Sequence, residues 1–378
     1  MDTWLLGPAS PLGYPAPYWF LLLFKMLGFS LHMIPMGLWY AGLVTMMILR
    51  WRGGEQGRIL SGRVVNALPI AVALGINLGI VPLLFTQVAY HQVFYPATIL
   101  MAWPWFGVIL LLMGAYYGLY FYVVGLRTGK LTRARAIVGW GSSALFVAIG
   151  FIFANAFSLM TRVGAWPALW EATSIAGAPL GIALNVSDAA LWPRWLMMFG
   201  LALTTTAAYV FFDTGVFAGR EGEAYRRWAG RFAFGLYSVG LVWFAISGTW
   251  YMFEAIPSAS RASLMEGGGL VLTILTALAP GIPWLLMLAQ RREATGKGAI
   301  AVAAAQYAVL ALNAVSRQSL QNIELSPVLD PAAAPVNIQW SPMILFLALF
   351  VGGLGLVAWM VAQAVRASRK PENSAPAS

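Results

Sequence analysis

Two side chains that can exchange protons, Lys25 and His32, lie in the first hydrophobic stretch of the chain, residues 17–49. About 20 apolar residues cross the hydrocarbon core of a bilayer, so this stretch is long enough to span a membrane. An ionisable group at such a depth costs free energy and is by default a candidate for function. Lys25 is the one lysine inside any hydrophobic stretch, and His32 is one of two histidines in the protein. We therefore expect the chemistry of this chain to lie near them.

Other polar side chains fall at a similar height when each stretch is measured from its basic flank. At about 1.5 Å per helical residue, Lys25 and His91 lie about 37 and 42 Å from the basic flank, and His32 lies about 27 Å from it. The candidates for proton exchange are Lys25, His32, Gln87, Tyr90, His91, Tyr95 and Glu254, and Arg162 and Arg194 complete an outer polar layer. No residue among them is assigned a catalytic role at this point.

The composition is that of an integral membrane protein. Hydrophobic residues make up 60% of the chain, charged residues 10%, and the mean hydropathy is +0.75, whereas about 25% of the residues of a typical soluble domain are charged. No polar stretch is long enough to fold separately, which predicts a single membrane domain over residues 1–378. The net charge of +10 follows the positive-inside pattern described next, so we expect membrane lipid and no nucleic acid as a partner.

Nine hydrophobic stretches predict an all-α, polytopic transmembrane helical bundle. They are residues 17–49, 64–88, 97–126, 136–160, 195–219, 232–253, 268–290, 298–315 and 342–365. Of the 23 Lys and Arg residues, 18 lie in alternate connectors and in the C-terminal tail. The positive-inside rule then predicts an N-terminus outside and a C-terminus in the cytoplasm, in a cytoplasmic (inner) membrane. The long connectors 161–194 and 316–341 would lie outside, where their Trp and Pro residues predict an aromatic belt and an irregular cap.

The ligand types in the sequence restrict the possible cofactors. The chain has no Cys and two His, so disulfides, thiolate-held iron–sulfur clusters and covalent c-type haem are excluded on this chain, and a typical zinc site is disfavoured. The predicted heights of His32 and His91 differ by about 15 Å, which disfavours a b-type haem held by both. A haem held by His32 and a methionine stays open, and no metal site is predicted.

A few proton-exchanging side chains inside an otherwise apolar helical bundle are what a quinone-binding site requires. A quinone needs an apolar cleft for its tail, aromatic walls for its ring and a proton-exchanging donor at each carbonyl, and His is a natural proton relay. The Trp-rich outer connectors are long enough to dock an extracytoplasmic cytochrome or iron–sulfur subunit. We therefore predict a membrane subunit of a bacterial-type respiratory or electron-transfer complex. Whether the chain is itself part of a quinone-linked oxidoreductase stays open.

The run GLWYAGL from Gly37 to Leu43, which follows His32, resembles polysulfide-reductase-type polytopic quinone subunits when taken with the number of spans and the absence of Cys. Subunits of that type lack haem and work with separate redox partners. The resemblance implies a quinone pocket near the outer face, between the first few helices. It carries over no residue assignment.

Two other functions fit the same sequence. The first is a transporter or channel for a small neutral or anionic solute, for which Pro35, Pro69, Pro82, Pro280 and Pro283 would supply the required breaks in four helices. The second is a non-catalytic membrane anchor of a larger complex. The polar layer at mid-membrane height contains no carboxylate for ion coupling, which counts against a transporter driven by a cation.

Overall fold

Nine helical segments of the computed structural model, which describes residues 5–290 and 294–369, are long and apolar enough to span a membrane. They are Tyr18–Arg52, Gly54–Ala89, Ala102–Arg127, Arg133–Thr161, Leu191–Val216, Ala218–Ala255, Gly267–Ala289, Gly296–Leu325 and Trp340–Gln363. The prediction of an all-α polytopic bundle with about nine spans is confirmed for these residues. The orientation of the termini stays a prediction, and three basic residues used for it, Arg291, Arg292 and Lys370, lie outside the described ranges.

The first half of the chain contains six helices and a short connecting region. The helices are α1 (Tyr18–Gly37), α2 (Leu43–Arg52), α3 (Gly54–Ala89), α4 (His91–Leu100), α5 (Ala102–Arg127) and α6 (Arg133–Thr161). A π-helical turn, Leu38–Gly42, joins α1 to α2. After α6 come a 3-10 turn (Val163–Ala165), α7 (Trp166–Ala172) and an antiparallel hairpin of β1 (Ser174–Ile175) with β2 (Ala178–Pro179).

The second half repeats the up-and-down course. Its helices are α8 (Leu191–Val216), α9 (Gly222–Trp250), α10 (Ser258–Leu264), α11 (Gly267–Leu278), α12 (Gly281–Ala289), α13 (Gly296–Leu325) and α14 (Trp340–Arg369). Short 3-10 turns at Ala218–Glu221 and Pro331–Ala333 lie between them, and α9 continues into a π-helical turn, Tyr251–Ala255.

The helices pack as two rings of four spans each. In the first ring, α3 packs against α1, α2 and α5, and α6 closes the ring against α5 and α2. In the second ring, α9 packs against α8 and α12, and α13 closes the ring against α12 and α8. The first and last spans of each ring form the junction between the rings, where α1 and α6 contact α8 and α13. The last helix, α14, lies outside both rings, where Phe346 packs 4.9 Å from Phe24.

An ion pair joins the two rings where most of the arginines are found, which we call the basic end of the bundle. There the guanidinium of Arg63 on α3 binds both carboxylate oxygens of Asp213 on α8 at 2.8 Å, and it also binds Glu221 at 2.9 Å. Bidentate pairs of this kind fix orientation as well as distance. We call the opposite end, where α1 begins and α3, α6 and α13 end, the polar end.

The prolines inside the helices differ in their effect on helix geometry. Pro35 lacks the N–H that would continue the helix ladder, and the π-helical turn Leu38–Gly42 follows it. The hydroxyl of Thr206 donates to the carbonyl of Gly37 over 3.1 Å and so satisfies part of the altered backbone. In contrast, α3 is continuous through Pro69 and Pro82. The predicted break of the seventh span occurs between α11 and α12, at Ala279 and Pro280.

Several helix boundaries differ from those expected from hydropathy. The helices α3 and α9 begin at Gly54 and Gly222, each ten residues before the predicted start. Three further differences concern the polar end. The eighth span does not end at residue 315, because α13 continues as a regular helix to Leu325. The third span begins at Ala102, since residues 91–100 form the separate helix α4. The outer connector 161–194 also contains α7, a hairpin and the first turn of α8. The polar residues of α13 hid the true end of the eighth span. The backbone break at Met101 separates α4 from the third span, and hydropathy does not show it.

The polar end is capped by the segment before α1 and the segment before α14. Tyr14 and Val336 form an isolated parallel bridge, in which the Tyr14 N–H donates to the carbonyl of Pro335 over 2.8 Å. The Tyr14 hydroxyl donates to the carbonyl of Ala89, the last residue of α3, over 2.8 Å. Burial raises the pKa of Tyr14 to about 12, so this hydroxyl keeps its proton at neutral pH. The cap therefore stays attached to α3.

Candidate functional site

Six polar side chains meet inside the polar end, between the start of α1 and the ends of α3 and α13. The Lys25 ammonium donates to Oε1 of Gln321 over 2.8 Å and lies 4.5 Å from the ring centre of Tyr90. The Tyr90 hydroxyl donates to Oδ1 of Asn322 and accepts from Nε2 of Gln318, both over 2.6 Å. We call this group the glutamine cluster, and its members are Tyr18, Lys25, Tyr90, Gln318, Gln321 and Asn322.

Two atoms of the glutamine cluster are buried without a hydrogen-bond partner among the described residues. They are the donor Nε2 of Gln321 and the acceptor Oε1 of Gln318. The two glutamines lie three positions apart on α13 and therefore on the same side of the helix. A buried polar atom left without a partner costs about 1–3 kcal/mol. The cluster thus contains one free donor and one free acceptor on neighbouring turns of α13.

A second network lies beside the first and shares the last turns of α13. The carboxylate of Glu324, whose side chain is 2% exposed, pairs with Arg194 at 3.2 Å and with Arg162 at 3.8 Å. Arg194 also donates to the hydroxyl of Tyr251 over 2.6 Å, and Arg162 reaches Asp188 at 3.4 Å. We call these five residues the arginine cluster. It connects α6, α8, α9 and α13 with the loop before α8.

The side chains of the glutamine cluster are largely shielded from solvent. The stem of Lys25 runs through the apolar part of the junction, and only 9% of the residue is exposed. Burial also raises the pKa of Tyr90, so its phenol remains a neutral donor. In such an environment a hydrogen bond is stronger than in water, and each free donor or acceptor is correspondingly more selective.

His32 lies away from the glutamine cluster. It follows Lys25 by seven positions on α1, which is about 10 Å along the helix. Its Nδ1 is 2.8 Å from the carbonyl of Gly75, and its ring lies where a β-carbon on Gly79 would come within 2.8 Å. The imidazole is therefore packed into α3, and Nε2 is its one ring nitrogen left for a ligand.

The two histidines do not come together. His91 begins α4, directly after α3, and its Nδ1 is 3.3 Å from the carbonyl of Val88 while its Nε2 is buried without a partner. Gly79, which packs on His32, precedes His91 by twelve positions, about 18 Å of helix. One haem iron cannot be held by both rings at that separation.

Three other candidates from the sequence do not join the glutamine cluster. Tyr95 on α4 is 49% exposed, and Glu254 is exposed in the π-helical turn after α9. Gln87 is half-buried near the end of α3 and makes no side-chain hydrogen bond within the described ranges. A role for these three residues in proton exchange stays a prediction.

The residues that the sequence analysis missed are concentrated on α13. They are Arg317, Gln318, Gln321, Asn322 and Glu324, which the hydropathy profile placed in an outer connector. Their spacings of three, four and seven positions are those of a helix, and this periodicity was the available signal. Within residues 5–290 and 294–369, no group of three or more His, Asp or Glu side chains is arranged to hold a metal ion.

We predict that Gly79→Ala destabilises the protein because the new methyl group collides with the His32 ring. The expected loss is about 1–3 kcal/mol of unfolding free energy, and it should disappear when His32→Ala removes the ring. Gly62→Ala is the matched control, since Gly62 lies on the same helix with open space around it. Thermal unfolding in detergent of the four variants measures the effect. An equal loss in the His32→Ala background would contradict this packing.

We predict that Glu324→Gln strongly destabilises the polar end because it leaves Arg162 and Arg194 without their shared carboxylate. Removing one partner of a buried ion pair costs about 3–5 kcal/mol. The same change at Glu223, whose side chain is 86% exposed and 3.7 Å from Arg227, should have little effect. Chemical unfolding followed by tryptophan fluorescence compares the two variants, and similar stabilities would argue against a structural role for the cluster.

Comparisons with known proteins identify the fold and no closer relationship. No protein-family model matches the chain, and no curated protein matches its sequence. Among solved structures it is similar to a chain of the bd oxidase from Geobacillus thermodenitrificans, with a TM-score of 0.61 and 12% identity over 95% of this chain and 100% of that chain. The specific resemblance to polysulfide-reductase-type subunits gains no support from this match. The chain is a multi-pass helical membrane protein with the architecture of a bd oxidase chain.

Proposed function

We propose that this chain is a membrane subunit of a respiratory electron-transfer complex in the cytoplasmic membrane and that a quinone or quinol binds at its glutamine cluster. The shared fold with a bd oxidase chain supports the respiratory assignment. The observation that carries the quinone assignment is the free donor of Gln321 beside the free acceptor of Gln318.

The free pair suits both redox forms of the ligand. The carbonyl oxygen of a quinone accepts a hydrogen bond from Nε2 of Gln321, and the hydroxyl of a quinol donates one to Oε1 of Gln318. Both interactions replace a buried unsatisfied atom with a satisfied one, which favours binding by removing an existing cost. An apolar ligand without a carbonyl or hydroxyl group leaves both atoms unpaired.

The surroundings of the cluster suit the rest of a quinone. The rings of Tyr18 and Tyr90, whose centres are 6.4 Å apart, provide an aromatic wall within the cluster. His91 follows Tyr90 directly in the chain. Its ring lies edge-on to the ring of Tyr14, with the ring centres 6.4 Å apart. His91 is therefore the group that we assign to pass protons between the cluster and the cap, since an imidazole ring can both accept and donate a proton.

We also propose that the outer connector docks a separate redox protein. The hairpin turns tightly at Ala176 and Gly177, both of which have positive φ angles. Ile175 at its tip is 66% exposed, and Ile182 shortly after it is 48% exposed. Exposed apolar side chains on an irregular loop outside the predicted spans are typical of a protein interface. An extracytoplasmic cytochrome or iron–sulfur subunit is the partner that the electron-transfer function requires.

We predict that a quinone analogue raises the thermal midpoint of the purified chain by a few degrees and that Gln318→Leu and Gln321→Leu each abolish this rise. Gln363→Leu, an exposed position on α14, is the matched control and should keep it. Each variant is compared with its own ligand-free midpoint, so a loss of stability does not confuse the result. A full ligand-dependent rise in both cluster variants would argue against this site.

We predict that Ile175→Asp combined with Ile182→Asp releases the redox partner from complexes purified in mild detergent. Val336→Asp, an exposed substitution elsewhere in the cap, is the control and should leave the partner bound. The partner is detected by its haem absorption or its iron content. This chain has no Cys, so it holds no thiolate-bound iron of its own. Retention of the partner in the double variant would place docking elsewhere. If the partner binds and the quinone analogue does not, the chain is an anchor.

A further inference from the structure

Lys25 and Arg317 are two cations that face each other across the junction between the rings. Lys25 and Phe29 lie one turn apart on α1, and Arg317 and Gln321 lie one turn apart on α13. Lys25 contacts Gln321, and the guanidinium of Arg317 lies 5.1 Å from the ring centre of Phe29, so the two helices are in antiparallel register here. This register makes the two charged groups neighbours, and they repel each other.

Neither cation has a counter-charge among the described residues. Lys25 donates to the neutral amide of Gln321, and Arg317 makes no side-chain hydrogen bond or ion pair in residues 5–290 and 294–369. The carboxylate of Glu324 is already shared by Arg162 and Arg194, and the positive charge of Arg194 adds to the repulsion at Arg317. The neighbourhood therefore carries more positive than negative charge.

An uncompensated pair of cations within membrane-spanning helices is costly. Burial of one unpaired charge costs several kcal/mol, and intramembrane ionisable residues are therefore rare and usually functional. Aromatic faces offset part of this cost, because Lys25 lies over Tyr90 and Arg317 over Phe29. Ring faces carry no net charge, however, so the excess of positive charge remains.

We propose that Lys25 and Arg317 form a binding site for a phosphate-type anion between α1 and α13. The ammonium supplies a compact charge, and the guanidinium supplies a planar fork of donors that matches two phosphate oxygens. Basic pockets between membrane helices bind lipid headgroups in this way. The site shares Lys25 with the glutamine cluster but needs neither a quinone nor the free donor of Gln321, and Arg317→Met tests it without changing that cluster.

The test measures the thermal midpoint of the full chain, purified in neutral detergent, with three additions. They are phosphatidylglycerol, phosphatidylcholine, and inorganic phosphate compared with chloride at equal ionic strength. The variants are Arg317→Met and Lys25→Met with Arg317→Met. The control is Lys130→Met with Arg133→Met, which removes two exposed charges from the basic end. Arg317 lies outside the glutamine cluster, so the quinone analogue provides a separate readout of that cluster.

We expect phosphatidylglycerol to raise the midpoint of the unmodified chain and of the control and phosphatidylcholine to leave it unchanged. Binding should weaken about tenfold or more in Arg317→Met, as expected for the loss of a charge-assisted contact, and should be lost in the double variant. A response to inorganic phosphate as well identifies a free anion as a ligand, and its absence identifies the lipid headgroup. No response to either anion, or an undiminished response in the double variant, overturns the proposal.

Discussion

Polar groups inside a bilayer must find their partners within the protein, because no water is available to replace them. The last turns of α13 meet this requirement for the polar end of the bundle. Gln318, Gln321 and Asn322 serve Lys25 and Tyr90 on one side of the helix, and Glu324 serves two arginines on another. Without this helix end, the charged and phenolic groups of both rings would be buried without partners. The junction between the rings therefore depends on ten residues that a hydropathy profile assigns to a loop.

The position of these residues follows from the arrangement of the two rings. Each ring begins and ends with a span that faces the other ring, so the junction is lined by α1, α6, α8 and α13. Side chains that face out of one ring at the junction are buried by the other ring. The fold thus accounts for the location of the clusters, and the residue types account for their chemistry.

Much of the fold could be predicted from the sequence, because membrane-spanning helices require long apolar segments with basic flanks. Height along the helix axis was equally accessible, and it correctly brought Lys25 and Tyr90 to the same end. The direction of each side chain around the helix axis could not be predicted. Successive residues differ by about 100°, and only tertiary packing determines which face points inward. Tyr95 and Glu254 are exposed and lie outside the glutamine cluster, and a role for them in proton exchange stays a prediction. The end of α13 was missed because its polar residues lower the hydropathy, although their periodicity is helical.

The fold match at 12% identity limits what can be transferred from known proteins, since a shared architecture does not imply shared chemistry. The functional argument therefore depends on contacts within this chain, and those contacts connect its two proposed surfaces. Gln321 at the quinone site and Glu324 in the arginine cluster lie on adjacent turns of one helix. Glu324 contacts Arg162, and Arg162 contacts Asp188 in the loop that carries the proposed docking surface. A ligand that displaces the end of α13 would act on that loop through these two contacts, so occupancy of the site and attachment of the redox partner share one structural element.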